Sequence, residues 1–194
     1  MNSLPDYEPF TRAELMAMGV AEVGSNVSVD RTCRFYGTRN ISIGNNVRID
    51  AYSVLSAGEG GIKLGSFIHL SAGVGIFGAG AVTVEDFTAL SARVSVFSSN
   101  DDYNSGAMTN PLVPEEFRNA IDAPVLIRRH VVVGAGSVIL PGVEIGVGAA
   151  VGALTLVKKD VPEFAIVAGN PMRQIGNRGR KLLEYEKQLR ETLT

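Results

Sequence analysis

The side chains able to move a proton or hold an anion are few in this 194-residue chain. His69 and His130 are its only two imidazoles, and an unperturbed imidazole, with a pKa of about 6.5, suits general base work. His69 follows the aliphatic Ile68 and is expected to face outward, as a catalytic base or as a solvated or interface residue. His130 ends the run Arg128-Arg129-His130, which reads as a solvated, charged corner. A second group, Asn100-Asp101-Asp102-Tyr103, opens a polar segment. Asp101 is a candidate base if desolvation raises its pKa. Asn100, Asp102 and Tyr103 are candidates for holding a hydroxyl or ammonium group of a small acceptor. The plainer account is a turn, since Asn and Asp favour turns. Lys158, Lys159 and Arg173 stand late in the chain, and a solvated exit strand explains the lysines. Cys33, the one cysteine, lies far in sequence from these groups and reads as a core or surface residue.

The elements that position these groups repeat. An aliphatic residue recurs every sixth position from about 23 to 168, often followed by Gly. Examples are Ile43-Gly-Asn-Asn-Val-Arg, Leu64-Gly-Ser-Phe-Ile-His, Val84-Glu-Asp-Phe-Thr-Ala and Val133-Gly-Ala-Gly-Ser-Val. A period of six is neither helical nor simply alternating. It fits a solenoid in which each hexapeptide is a short strand plus a corner, and stacked coils bury a common core. The aliphatic residue is expected to face inward, with a second inward residue near the fifth position, such as Val47, Ile68 or Val138. Residues 1–22 form a helical cap, with Thr11 and Glu14 at capping-box spacing, Phe10 and Leu15 as staple and Gly19 as stop. Residues 23–176 form the solenoid, interrupted by a long excursion at about 97–123, a length usually reserved for functional or disordered loops. Residues 177–194 form a C-terminal helix closing the solenoid end.

Composition agrees. Hydrophobic residues make up 45% and glycines number 22, and the Val/Ile-rich apolar content favours strands. A net charge of −2 offers no field to recruit nucleic acid. A lone cysteine forms no intrachain disulfide and fits a reducing compartment. No signal-peptide pattern and no apolar run long enough to span a membrane is present. A cytoplasmic protein is expected.

The stretch from Pro124 through Ile145-Gly146, continuing past Val157-Lys-Lys-Asp-Val-Pro162 to Ala168-Gly-Asn-Pro-Met-Arg173, resembles the hexapeptide-repeat acyltransferases, especially the sugar O-/N-acetyltransferase branch. The resemblance covers roughly residues 23–176. It implies a left-handed parallel β-helix, a homotrimer with active sites between subunits, and transfer of an acetyl group from acetyl-CoA to a sugar or nucleotide-linked sugar, in surface polysaccharide biosynthesis. Gly134, Ala135, Gly152 and Ala153 match the family's small positions beside the pantetheine arm, and Lys158, Lys159 and Arg173 match cations near the nucleotide phosphates. Corner geometry alone also explains the small residues. The sequence departs from the family in two places. The excursion lacks the histidine that many relatives carry at its start, leaving His69, Asp101 or no base at all. Val132 takes a place that is often Trp. The Asn-Asp pair favours N-acetylation of an amino-sugar nucleotide. No metal is required: a zinc enzyme on this scaffold, such as a γ-class carbonic anhydrase relative, usually needs three imidazoles. A non-catalytic trimeric scaffold is the alternative if the missing loop histidine means a lost activity.

Overall fold

Each coil is built from one local rule. A corner residue with left-handed backbone is followed by an inward, an outward and an inward side chain. Asn46 has φ +55°, and after it Val47 is buried, Arg48 exposed and Ile49 buried. Asn tolerates that backbone better than most residues, and the period-2 alternation of the strand does the rest. The computed structural model describes residues 8–193; the first seven residues of the expected N-terminal cap lie outside them.

The coils stack into three parallel faces. The first carries Glu22–Val23, Ile41–Ile43, Ile62–Leu64, Val82–Val84, Val125–Ile127 and Glu144–Ile145. The second carries Val27–Val29, Val47–Ile49, Ile68–Leu70, Ala89–Leu90, Val132–Val133, Ala150–Val151 and Ala165–Ala168. The third carries Arg34–Tyr36, Val54–Ala57, Gly75–Gly78, Ser95–Phe97, Val138–Ile139 and Leu156–Val157. Parallel pairing places like on like: Ile49, Leu70, Leu90, Val133 and Val151 form one buried row. The all-β solenoid expected from the repeat is the observed fold, with one helix before its first coil and one after its last strand. One inward position differs. Val138 is half-buried and faces outward, and Ser137 fills the inward fifth position, its hydroxyl donating to the Gly152 carbonyl at 2.9 Å. A hydroxyl satisfied inside the corner is tolerated where an unpaired one would not be.

Helix α1 (Arg12–Ala17) opens with the expected capping box: the Glu14 carboxylate accepts from the Thr11 amide at 2.7 Å, and the Thr11 hydroxyl oxygen accepts from the Glu14 amide at 3.2 Å. Its Leu15 is wholly buried against the first coil. Gly19 follows with φ +89°.

The C-terminal end departs from expectation in two ways. A short strand, Arg173–Asn177, runs antiparallel along Ala165–Ala168. Helix α2 (Leu182–Thr192) then turns back along the corner between the first and second faces, where it was expected to close the end. Its anchor is Glu186, which accepts hydrogen bonds from His130 Nε2 at 2.6 Å and from Arg190 Nε at 2.8 Å. Arg190 also reaches Asp86 at 3.1 Å and lies over the Phe87 ring. His130 is therefore not the solvated corner residue expected: it is 8% exposed. Its left-handed corner stacks on Phe87 at 5.1 Å, and Phe87 on Phe67 at 4.8 Å. Burial pushes the Glu186 carboxyl up, but the hydrogen bonds from His130 and Arg190 outweigh it and hold its pKa below the ordinary value.

Candidate active site

The corner between the second and third faces carries a lane of small residues. After the inward Leu90, Val133, Val151 and Val167 come Ser91-Ala92, Gly134-Ala135, Gly152-Ala153 and Ala168-Gly169, stacked by the bonds Ser91 N–H to Val133 O, Gly134 N–H to Val151 O and Gly152 N–H to Val167 O, each 2.7–2.9 Å. Three steps at the inter-strand spacing give the lane a length of roughly 14 Å. Close stacking itself demands the glycine at 134, where a Cβ would come within 2.4 Å of the Ala153 nitrogen. Ala153 is exposed, so its small side chain leaves open the surface beside it. Arg173 pairs with Ala168 at the upper end of the lane, whereas Lys158 and Lys159 leave the third face at its far corner, all three exposed. The lane thus gathers Gly134, Ala135, Gly152 and Ala153 with Arg173, and the two lysines stand one face away.

Below the lane, on the outward side of the second face, lies a group that sequence reasoning only half found. His69 faces outward as expected, with its side chain 45% exposed. Its Nε2 donates to the Asp50 carboxylate at 2.8 Å, and Arg48 Nε donates to the other oxygen at 2.6 Å. Burial raises the Asp50 pKa, yet the His69 and Arg48 hydrogen bonds outweigh it and the net shift is downward. Asp50 thus fixes the imidazole through Nε2, the arrangement that orients a base and stabilises its cation. The signal for Asp50 was available: one coil sets Arg48 opposite His69, and Asp50, two residues after Arg48, points to the same outward side.

The excursion leaves after Ser95–Phe97 and returns at Val125, opening as an antiparallel ribbon of Ser99–Asp101 with Ala120–Asp122. It separates the two neighbouring aspartates. Asp102 spends both carboxylate oxygens inside the loop, accepting from the Asn104 amide at 2.9 Å and Asn119 Nδ2 at 2.8 Å. The Asn104 bond, joined by the Asn119 bond, outweighs the penalty of burial and lowers its pKa. Among the described residues Asp101 has no side-chain partner; it is half-buried in the ribbon. Tyr103 is 77% exposed, its hydroxyl only 3.4 Å from Asn100 Oδ1. Within one chain the ribbon emerges from the corner between the third and first faces, and His69 lies on the second. The expected pair His69 and Asp101 is therefore not brought together in a single subunit. Cys33 is buried, and burial pushes its thiol up to about 11, which removes it as a nucleophile at neutral pH. No three His, Cys, Asp or Glu side chains among the described residues converge as a metal site.

No family model matches the chain. The dTDP-4-amino-4,6-dideoxy-D-glucose acyltransferase of Escherichia coli is 47% identical over 173 residues, covering 89% of this chain and 90% of the relative. The putative lipopolysaccharide biosynthesis O-acetyl transferase WbbJ of Escherichia coli K12 is 28% identical over 76% of this chain and 74% of its own. Among solved structures, AntD, an N-acyltransferase from Bacillus cereus in complex with dTDP and 3-hydroxybutyryl-CoA, superposes with a TM-score of 0.91 at 34% identity, covering 96% of this chain and 98% of its own. AntD has also been crystallised with dTDP-4-amino-4,6-dideoxyglucose and coenzyme A, and as variants at one serine and one aspartate ten residues apart. The three-faced solenoid with its corner lane, together with these near full-length similarities, shows that the chain belongs to the left-handed β-helix, hexapeptide-repeat acyltransferases, in their sugar acetyltransferase branch.

Proposed function

We propose that the protein transfers the acetyl group of acetyl-CoA to the amino group of a dTDP-linked 4-amino-4,6-dideoxy sugar. The observation that carries this reading is the 47% identity to an acyltransferase of that acceptor over nearly the whole of both chains. The lane fits the donor. The pantetheine arm lies along Gly134-Ala135 and Gly152-Ala153, where small residues leave backbone amides and carbonyls within reach. Arg173, at the upper end of the lane, meets the nucleotide end, since cation–phosphate pairs are among the strong hydrogen bonds; Lys158 and Lys159, one face away, would reach those phosphates from a neighbouring subunit.

The thioester then sits near Ser91 and His69. The acceptor nitrogen attacks the thioester carbonyl, the C–N bond forms, and the nitrogen becomes cationic. A base takes its proton, the C–S bond breaks, and CoA leaves as thiolate to be protonated by solvent. Asp101 is the base in this proposal. It is the only aspartate of the sequence with a serine, Ser91, ten positions before it, matching the spacing of the two residues varied in AntD. His69, oriented by Asp50, lines the same space with Asn100 and Tyr103. Asp102 shapes the loop through its internal bonds.

The site needs a second copy. Asp101 and the lane lie on different corners of one chain, and the excursion exposes Tyr103, Met108, Leu112, Phe117 and Ile121. Outward residues of the third face, Val54, Phe77, Phe97, Val138, Leu140 and Leu156, are apolar and half-buried. A homotrimer in which each excursion reaches the neighbour's lane would cover both surfaces. The buried, solitary Cys33 suits a cytoplasmic setting, and no helix among the described residues is long and apolar enough to cross a membrane. The sugar product fits surface polysaccharide assembly, the field of the WbbJ relative.

Mixing the protein with acetyl-CoA and dTDP-4-amino-4,6-dideoxyglucose, and following free thiol, tests the reading. Thiol release that requires the amino group is the expected result. Saturable CoA binding with no turnover on any amino-sugar nucleotide would instead leave a scaffold without activity.

A further inference from the structure

The excursion holds one cation. Of its ionisable residues from 98 to 124, Asp101, Asp102, Glu115, Glu116 and Asp122 are acidic and only Arg118 is basic. With so many carboxylates nearby, an ion pair for Arg118 would be unremarkable, yet among the described residues its guanidinium has no hydrogen bond and no ion pair. Its Nε is buried from solvent without a partner, the only such side-chain nitrogen or oxygen among the described residues. Arg39, Arg93 and Arg173 also have no partner among the described residues, but each is exposed to solvent. A desolvated guanidinium N–H with nothing to bond is costly; the chain itself covers Nε, so an anion meets this guanidinium through its two terminal nitrogens, which are not buried and which no bond among the described residues occupies.

Its place on the ribbon says where that anion lies. Asp101 is directly opposite Ala120, and the ladder continues through the Asp102 amide to the Asn119 carbonyl at 2.9 Å. Arg118 is two residues before Ala120. Arg118 precedes the strand but its backbone is already extended (φ −110°, ψ 157°), and Asn119 turns to Asp102, so the alternation places Arg118 on the side of the ribbon that carries Asp101, one diagonal step away. In a 4-amino sugar nucleotide the amine and the anomeric phosphate stand across one pyranose ring. A side chain beside the base, longer than it and oppositely charged, is therefore suited to the pyrophosphate.

Resting on the acceptor proposed above, we infer that Arg118 binds the pyrophosphate of the nucleotide sugar and so places the amine before Asp101. The guanidinium fork matches phosphate bidentately. Because the pyrophosphate does not change during acyl transfer, this contact holds ground state and transition state alike.

Calorimetry on the intact protein, with dTDP, thymidine and CoA as separate probes, tests the inference in wild type, Arg118→Gln and Arg118→Lys. Loss of one charge-assisted contact is expected to weaken dTDP about ten- to a hundredfold in Arg118→Gln. Thymidine and CoA binding should be unchanged, with partial rescue by lysine. KM for the amino-sugar nucleotide should rise while kcat holds. Unchanged dTDP affinity in Arg118→Gln overturns the inference alone. So does joint loss of dTDP, thymidine and CoA binding with dissociation in sedimentation, which would make Arg118 an ion-pair partner between subunits. A wild-type protein that does not bind dTDP removes the nucleotide-sugar reading and this inference with it.

Discussion

Asp101 and Asp102 are neighbours in sequence, and their hydrogen bonds give them different chemistry. Both oxygens of Asp102 are used within the loop, whereas the carboxylate of Asp101 has no partner among the described residues. A base must keep a lone pair available for the substrate proton. Asp101→Asn is therefore expected to lower kcat by about 10²–10⁴ while leaving the affinity for CoA intact, as measured by steady-state kinetics and calorimetry. His69→Ala removes a group tied to Asp50 at the edge of the site; in the same assay its loss is expected to stay within about tenfold, less than general base removal costs. The reverse order of effects would exchange the two roles.

Among the elements, the lane and helix α2 can be perturbed separately. Ala153→Trp adds a ring to an exposed lane position without entering the core. It is expected to weaken CoA by at least about tenfold, by displacing a bound arm that such a contact surface holds. The melting temperature and dTDP binding should not move. Helix α2 buries Glu186 alone, so the ion-pair hub rather than an apolar stripe holds it. His130→Ala or Glu186→Gln is expected to cost about 1.5–3 kcal/mol of local stability, seen as faster amide exchange in α2 with the solenoid still protected. Because the folded-state pKa of Glu186 lies below its unfolded value, the hub's contribution is complete above about pH 4.3 and fades as pH falls through the lowered value. Exchange in α2 should accelerate over that acid range first. The six-residue rhythm made the coils readable, because a buried row such as Ile49, Leu70 and Leu90 repeats in sequence as it does in space. Ser137 escaped because an inward hydroxyl breaks the aliphatic rule. His130 escaped because its burial depends on Glu186, 56 residues later. The strand Arg173–Asn177 escaped because Arg-Gln-Ile-Gly-Asn shows no alternation and pairs only by reversing direction. Of the candidate site, the lane was legible as small residues one coil apart, whereas the proposed meeting of Asp101 with it would need a second subunit, which no single-chain pattern encodes.

For the whole molecule, the division of the proposed site between copies has a direct test. Asp101→Asn spoils the loop but keeps a good lane, and Ala153→Trp spoils the lane but keeps a good loop. Co-expressed in equal amounts and assayed at acetyl-CoA too dilute to fill the Ala153→Trp lane, the two impaired variants should regain up to roughly a quarter of wild-type activity, the share of random interfaces in which an intact loop meets an intact lane in a cyclic assembly. No recovery would place the whole site within one subunit. The terminal strand has a consequence of another kind. Every inner rung of the prism has a parallel neighbour above and below, and a bare last rung would offer the same hydrogen-bonding rim to the next molecule. At one end the chain doubles back as Arg173–Asn177 on Ala165–Ala168, and at the other Phe10 pairs antiparallel with Val29 beneath α1. A reversed strand presents the wrong polarity for continued winding, so these two segments act as stoppers against tip-to-tip polymerisation. Protein truncated before Arg173 should scatter light and grow fibres at concentrations where the intact chain stays dispersed.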